Sequence, residues 1–507
     1  MSNPLVTTLD SSDVDQKDVL QTIAACALSY GLTTISNYSV TLWDSLKFEV
    51  LNAQEEDLAT EALVTLQAVA IRLSRGLEST DLKTPLARYI RTITKECNEQ
   101  LQEPQHKQAK PVGQILGALA IASPVAFCLI VKATIPPLNT LYQDADSISR
   151  QRALLEVLVQ ILDSAIAVYG TLTIPAPRTD VENPLDSFKD RLFEITSQAL
   201  MSTAVDEVSF RVVALNALLR LCMLRKFLQD NEVGLAVQYF NEIVLSEDPS
   251  GKADLKKEAI KALVELSRIK PNLIMDITFP AFMAKLPDSS PSNDWDYLVT
   301  LEGLAQLSVE KYVSDTLIRR LLNRLDVVLQ HDGSSTYPQA ILSTLHHVLR
   351  QRDLPQDQNL SSYHERIVVG LIGRVVRASV GQAKITALNE DLTLEILGRL
   401  ATTIVRAMGE HKQNSVAIQI YSLFVDEDTF TPVPFGRKSS RLQRSTMILS
   451  TALMAGVGRS VSLPHCKFVH VLTSVRLRWN SQSLATAPYQ NCSQSWSDSL
   501  WLRMFPQ

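Results

Sequence analysis

A carboxy-terminal group of histidines and cysteines has the side-chain chemistry of a zinc site. Cys466 and His470 are separated by the four-residue step that places two side chains on one side of a helix. His465 and Cys492 would add nitrogen and sulfur ligands of the kind that zinc binds. All four residues lie in or beside a segment of anomalous composition, so we interpret them as non-ligating. We predict no metal site and no bound cofactor.

The sequence contains no motif for nucleophilic catalysis. The sequence has no GxSxG or comparable turn that would expose a serine or cysteine nucleophile beside a base. His346 and His347 are adjacent, so on a helix they would point about 100° apart and could not bind one metal together. The cysteines form no cluster that could hold an iron–sulfur centre. We therefore predict that the protein is not an enzyme and has no catalytic residues.

Glycine motifs for phosphate binding are also missing from the sequence. Gly456-Val-Gly458 is a lone GxG inside an apolar helical pattern rather than after a strand. The GRKSS segment that begins at Gly436 lacks the upstream glycine of a P-loop. These patterns predict no nucleotide site and no small-molecule substrate.

A basic cluster near residue 440 is the candidate partner-binding site of the sequence. It places four cations beside Ser439 and Ser440, namely Arg437, Lys438, Arg441 and Arg444. Arginines near serines could suit a kinase or an acidic partner. The simpler interpretation, which we favour, is an ordinary solvated loop.

Composition and charge narrow the classes of partner. The 507-residue chain has a formal net charge of -5, so its overall charge does not favour nucleic acid or an anionic membrane. The six cysteines lie far apart without a CxxC pair, which is typical of reduced thiols in an intracellular protein. The first residues lack the basic and apolar regions of a targeting signal. We expect no direct nucleic-acid binding and a location in the cytosol or nucleus.

One uncharged segment is long enough to cross a membrane. Residues Pro111 to Val131 carry no charge. However, Ser123-Pro124 lies in the middle of the segment, where proline removes a helix hydrogen bond and disfavours helical geometry in the preceding residue. We predict two short, buried helices and no membrane partner.

The spacing of apolar residues predicts the helices on which the side chains discussed above would lie. The segment from Ser39 to Gly76 has the pattern of a helix, a brief acidic turn and a second helix. A helix from about Asp186 to Met201 precedes another that carries one predicted apolar face, made of Phe210, Val213, Ala217, Leu221, Leu224 and Leu228. Two such helices make a hairpin.

The hairpins repeat at intervals of roughly 40 to 50 residues, which is typical of HEAT or armadillo units. They open near Asp186, Glu232, Pro271, Tyr312 and Tyr363. Each hairpin alone would leave an apolar face in water, so neighbouring hairpins must stack. The predicted fold class is all-α, an extended α-solenoid of HEAT/armadillo-like helical hairpins.

Composition divides the chain into five predicted regions. These are a disordered start (1–12), a HEAT-like helical region (13–173), a Pro-rich linker (174–185), a C-terminal HEAT-repeat region (186–463) and an anomalous Ser/Trp-rich tail (464–507). One interpretation of the tail is a disordered segment that binds a partner through its tryptophans. We favour another, in which the repeat array is cut off near Leu463 and the tail is not native coding sequence, as a retained intron or shifted frame would produce.

Three segments identify a family resemblance. YSVTLWDSLKFEVLNAQEEDLATEAL (Tyr38 to Leu63), the long run from Ile93 to Gly170 and FRVVALNALLRLC (Phe210 to Cys222) resemble the Mms-nineteen (Met-eighteen) family, particularly its fungal members. The resemblance covers roughly residues 13 to 463. Family members are about twice this length, so we expect this chain to correspond to the middle of a longer array.

The resemblance implies a HEAT-repeat adapter of the cytosolic iron–sulfur assembly targeting complex. Such adapters link the late assembly components to apo iron–sulfur client proteins, among them helicases and polymerases, and so act in nucleotide excision repair and transcription. It implies a location in the nucleus and cytoplasm. No binding residue can be carried over, because the shared signature is helix packing. The alternative is an importin-type HEAT transport receptor that binds protein cargo.

Overall fold

The computed structural model describes most of the chain up to Met408. The described residues are 16–52, 55–77, 81–102, 107–174, 182–202, 207–246, 253–289, 296–329, 334–351, 363–374, 387–408, 411–412 and 415. The predicted disordered start and the Ser/Trp-rich tail lie outside these residues. The predicted linker, 174–185, is described only at its ends.

Helices dominate the described residues, which confirms the all-α prediction. They are α1 (Gln16–Ser29), α2 (Leu32–Leu51), α3 (Glu56–Ser74), α4 (Pro85–Gln102), α5 (Ala109–Ala120), α6 (Pro124–Gln143), α7 (Ile148–Tyr169), α8 (Lys189–Met201), α9 (Val208–Met223), α10 (Asp230–Leu245), α11 (Ala253–Ile269), α12 (Phe279–Lys285), α13 (Asp296–Leu307), α14 (Lys311–Val328), α15 (Thr336–Gln351) and α16 (Asp391–Arg406). A 3-10 turn, Pro184–Phe188, leads into α8, and a π-helical turn, Ile274–Thr278, leads into α12.

The first of two compact units comprises Met1–Pro287 and Asp294–Arg320, and its helices alternate between two layers. In one layer each odd-numbered helix packs against the next, from α1 to α13. In the other layer α2 packs on α4, α4 on α6, α8 on α10 and α10 on α12, and α6 contacts the 3-10 turn before α8. This is the arrangement of stacked helical hairpins, which confirms the predicted solenoid class.

Buried hydroxyl groups join successive odd-numbered helices. Thr65 on α3 donates to the Leu20 carbonyl on α1 at 3.0 Å, and Ser164 on α7 donates to the Gly117 carbonyl on α5 at 3.1 Å. Helices α5 and α7 lie close together along this contact. One turn before Gly117, a Cβ added at Gly113 would lie only 3.3 Å from the Val157 Cα. The glycines of α5 therefore set the separation between α5 and α7.

The uncharged run from Pro111 to Val131 is divided between two helices, as predicted. Ser123 caps α6 by accepting a hydrogen bond from the Ala126 N–H at 3.1 Å, and Pro124 occupies the first turn. The second helix is longer than predicted, because α6 continues through Pro136 and Pro137 for 20 residues. By length and composition alone, α6 is long and apolar enough to cross a membrane. It packs against α4, α5 and α7 in the first unit.

Several predicted helix starts are confirmed, but one predicted face is wrong in part. Helices α10 and α14 begin within a few residues of Glu232 and Tyr312, respectively. The face assigned to α9 extends too far, because the helix ends at Met223 and Leu224 is extended. Leu224 and Leu228 are buried in the following turn instead, where Lys226 has φ of 57°, and Val213 is only half-buried.

The second unit comprises Asp288–Asn293 and Leu321–Gln507, of which α15 and α16 are the longest described pair within it. They pack together, and Gln339 donates to Glu390 and Thr393 at 3.1 Å each. Arg366 donates to Asn323 at 2.9 Å, which ties the π-helical turn His364–Val369 to α14. Polar links between packed helical elements therefore occur in this unit too.

Candidate protein-binding groove

Helices α4 and α6, which are neighbours in the even-numbered layer, begin with the same local chemistry. Thr84 accepts a hydrogen bond from the Ala87 N–H at 3.2 Å, and Pro85 is the first residue of α4. Ser123 and Pro124 repeat this arrangement at α6. A hydroxyl cap satisfies an N–H that has no helical partner, and proline at the first position lacks the N–H that would need one. Both helix starts are thus fixed by local sequence.

A side chain of α4 satisfies a backbone group that α6 cannot satisfy itself. Pro137 has no N–H to give to the Ala133 carbonyl four residues earlier. Asn98 on α4 donates its Nδ2 to that carbonyl at 3.1 Å. This bond positions the middle of α4 against the proline-containing half of α6.

A groove of about 440 Å³ runs between the two helices. Its floor is formed mainly by small or buried side chains, namely Ala87, Ile90, Thr94, Leu129 and Ala133. Its rim carries Leu82, which is 62% exposed, and the exposed cations Arg91 and Lys132. The groove thus combines an apolar floor with a positively charged rim.

The two rim cations have no salt bridge among the described residues. Lys47, in contrast, contacts Asp44 at 3.0 Å and Glu96 at 3.1 Å. The hydrogen bond to Asp44 and the contact with Glu96 raise the pKa of Lys47. Around Arg91 and Lys132 no carboxylate occupies a position three or four residues away on the same helix. Within the described ranges, neither rim charge is therefore neutralised by a carboxylate on its own helix.

The buried cysteines of the described residues are chemically unreactive. Cys97 and Cys222 are buried. Burial raises the pKa of Cys222 to about 12 and also raises the pKa of Cys97, so both thiols stay protonated at neutral pH. Across the described ranges, no three His, Cys, Asp or Glu side chains are grouped so that they could hold a metal ion. Neither buried thiol is among the residues that line the groove.

The sites singled out from sequence fall mostly outside the described residues. This applies to the basic cluster Arg437, Lys438, Arg441 and Arg444, to the zinc-like set His465, Cys466, His470 and Cys492, and to the glycine motifs at Gly436 and Gly456. His346 and His347 lie on α15, and His347 Nε2 is 2.6 Å from Gln351 Nε2.

Sequence reasoning missed the groove. The available signal was a pair of cations without acidic neighbours at helical spacing, on two helices that both start with a hydroxyl residue and proline. Periodicity alone does not show that these two helices are adjacent, so the signal could be recognised only after the fold was known.

Two family models match the chain. A model described as the C-terminal region of an RNAPII transcription regulator matches residues 300–495. A model described as a Dos2-interacting transcription regulator of RNA-Pol-II matches residues 4–52. The first match includes most of the Ser/Trp-rich tail, whose two interpretations remain predictions.

Curated relatives carry consistent names. The MMS19 nucleotide excision repair protein homologue of Xenopus tropicalis is 25% identical over 92% of this chain and 46% of its own length. The human homologue is 24% identical over 91% of this chain and 46% of its own length. The DNA repair/transcription protein mms19 of Schizosaccharomyces pombe is 24% identical over 64% of this chain and 32% of its own length. The chain spans less than half the length of these relatives.

Solved structures with low sequence identity also align. Importin beta, at 11% identity, covers 95% of this chain and 65% of its own length with a TM-score of 0.41. The karyopherin Kap121p, at 14% identity, covers 89% of this chain and 45% of its own length with a TM-score of 0.37.

Proposed function

This chain belongs to the MMS19 family of DNA repair and transcription proteins, and we propose that it acts as a non-enzymatic adapter. In this role it links the cytosolic iron–sulfur assembly machinery to apo iron–sulfur proteins of DNA metabolism. Its partners are the late assembly components and clients such as helicases and polymerases. It works in the nucleus and the cytoplasm, and through its clients it contributes to nucleotide excision repair and transcription.

The stacked hairpins of the first unit are the observation that carries the proposal. Each repeat exposes one more pair of helices, so a stack presents a long surface on which several protein contacts can form at once. The groove between α4 and α6 is one part of that surface, and the two cations at its rim form no salt bridge with any residue that the structure describes. Such a surface suits binding of proteins rather than conversion of a small substrate.

The iron–sulfur cluster is cargo in this proposal rather than a resident group. Buried cysteines such as Cys97 and Cys222 are part of the helix packing, and their raised pKa values oppose the thiolate form that binds iron. The adapter therefore brings the donor machinery and the apo-client together while the cluster passes between those partners.

Affinity purification from a cell extract tests the proposal. The tagged chain and an unrelated HEAT-repeat protein of similar size serve as bait and control. The expected result is enrichment of iron–sulfur assembly components and of iron–sulfur helicases or polymerases on the tagged chain alone. Equal recovery of these proteins on both baits would overturn the adapter function.

The same experiment separates an adapter from an importin-type receptor. Addition of the GTP-bound form of the transport GTPase releases cargo from a transport receptor. We expect the bound assembly components to stay on the chain when this GTPase is added. Release of all bound proteins would favour the transport function instead.

A further inference from the structure

We propose that the α4–α6 groove binds an acidic peptide segment of a partner protein. In this arrangement an apolar side chain of the peptide lies on the groove floor, and flanking carboxylates pair with Arg91 and Lys132. The inference rests on the adapter function proposed above, because it assigns one binding surface of the adapter and the kind of segment that the surface fits.

The shape of the groove favours an inserted side chain. Ala87 and Ala133 are small residues at positions where larger ones would close the space between the helices. The open groove has a volume of about 440 Å³, which is large enough for one apolar side chain. Leu82, 62% exposed at the rim, would lose contact with water when a peptide covers it. A leucine or aromatic side chain is the natural anchor for such a floor.

The positive charge of the groove rim favours acidic peptide residues on either side of that anchor. Arg91 and Lys132 are exposed, belong to different helices, and have no salt bridge among the described residues. Carboxylates of a bound peptide would give both cations partners without breaking any existing ion pair.

The surroundings of the groove favour a peptide over nucleic acid. A phosphate backbone is bound by many cations along an extended surface. Beyond Arg91, the same helix carries Glu96, which is engaged with Lys47, and Glu99, which is near Lys95. These carboxylates would repel a continuous chain of phosphates, whereas the few acidic residues beside the anchor of a peptide need pair only with Arg91 and Lys132.

A binding assay with a defined probe tests the proposal. The purified full chain is titrated against a fluorescein-labelled nine-residue peptide that has a central phenylalanine with two aspartates on each side. Fluorescence polarisation reports the Kd at low salt, where charge pairs are least screened. Replacing the aspartates with asparagines, or the phenylalanine with alanine, is expected to weaken binding by about tenfold or more.

Matched variants assign the binding to the groove. R91E/K132E reverses both rim charges and is expected to weaken binding by at least about tenfold. K257E/R268E makes the same charge change on exposed residues of α11 and is expected to leave the Kd within about twofold. A133L fills the floor without changing charge and is expected to weaken binding to the same degree as the charge reversal. Circular dichroism verifies that each variant is folded.

Three results would overturn the inference. R91E/K132E and K257E/R268E could bind the peptide equally well, folded A133L could bind it with unchanged affinity, or a single-stranded oligonucleotide could displace it more effectively than unlabelled peptide. These outcomes differ from failure of the adapter function. The purified chain could bind the peptide through Arg91 and Lys132 but recover no assembly components from extract. That result would support the peptide-binding groove and overturn the adapter function.

Discussion

Asn98 on α4 donates its Nδ2 to the Ala133 carbonyl on α6 at 3.1 Å, and thereby replaces the donor that Pro137 cannot supply. A residue that breaks the hydrogen-bond ladder of one helix is thus matched by a polar residue on the neighbouring helix, and this donor lies 35 positions before the carbonyl that it satisfies. This contact lies beside the floor of the α4–α6 groove, since Ala133 belongs to both. The same hydrogen bond therefore links α4 to α6 and helps to position the groove floor.

Removal of the Asn98 side chain should destabilise the first unit. N98A leaves the Ala133 carbonyl without its partner, and the expected loss is about 1 to 2 kcal/mol in the free energy of unfolding. In a P137A background the new N–H of residue 137 can donate to that carbonyl, so N98A should cost less there. Urea denaturation of the four members of this double-mutant cycle measures the coupling. Equal costs in both backgrounds would contradict the proposed compensation.

Enlarging Gly113 should force α5 and α7 apart. A Cβ at this position would lie 3.2 Å from Gln160 Cγ and 3.3 Å from Val157 Cα, and the second of these atoms is backbone. We expect G113V to reduce the free energy of unfolding by roughly 1 to 3 kcal/mol. K110V places the same residue at an exposed position of α5 and serves as the control. Thermal unfolding that shows equal losses for both variants would exclude close packing as the cause.

The ion pair between α7 and α9 should make a small, salt-dependent contribution to stability. Arg220 Nε lies 2.5 Å from Asp163 Oδ1, and the two side chains are 23% and 44% exposed. Because Asp163 is well solvated, a coupling energy of at most about 1 kcal/mol is expected from the R220A/D163A cycle. Lys95 and Glu99, 3.9 Å apart and more exposed, should give a value near zero. Similar coupling in both pairs, or no change in 1 M salt, would contradict this ranking.

Protonation of His346 should reduce the stability of the second unit in mild acid. Burial, followed by the charges of Arg399 and Arg350 and the proximity of His347, lowers the pKa of His346 to about 4 from 6.5. The unfolded chain therefore takes up the proton first as the pH falls. Stability is fully present above pH 6.5, decreases between that value and about pH 4, and then levels off, with a total loss of up to about 3 kcal/mol.

Two measurements check this pH dependence. An NMR titration of the His346 ring gives its folded-state pKa directly. Urea denaturation of the wild-type chain and of H346Q across the same pH range isolates its contribution, because H346Q should lose less stability on acidification. A ring that titrates near pH 6.5 in the folded protein would contradict the prediction.

Local sequence was sufficient for the helical class and for the break between α5 and α6. The 3.6-residue period predicted the all-α class, and Ser123-Pro124 predicted the break between α5 and α6, because caps and proline act within one helical turn. The end of α9 was not predictable in this way. Its apolar pattern continues to Leu228, but Leu224 leaves the helix and forms a bridge with Thr171 from a loop 53 positions earlier. The local apolar pattern alone does not show this contact between segments that are far apart in the sequence.

The sequence by itself determined that the chain forms stacked helical hairpins and resembles the MMS19 family. Periodicity, helix caps and the family segments are all properties of the linear order of residues. Only the tertiary structure decided that α4 and α6 are neighbours, that Asn98 meets the carbonyl freed by Pro137, and that Arg91 and Lys132 flank one apolar floor. The physical reason is that packing between layers brings together residues about 40 positions apart. The chemistry of the resulting surface belongs to the pair of helices and to neither helix alone.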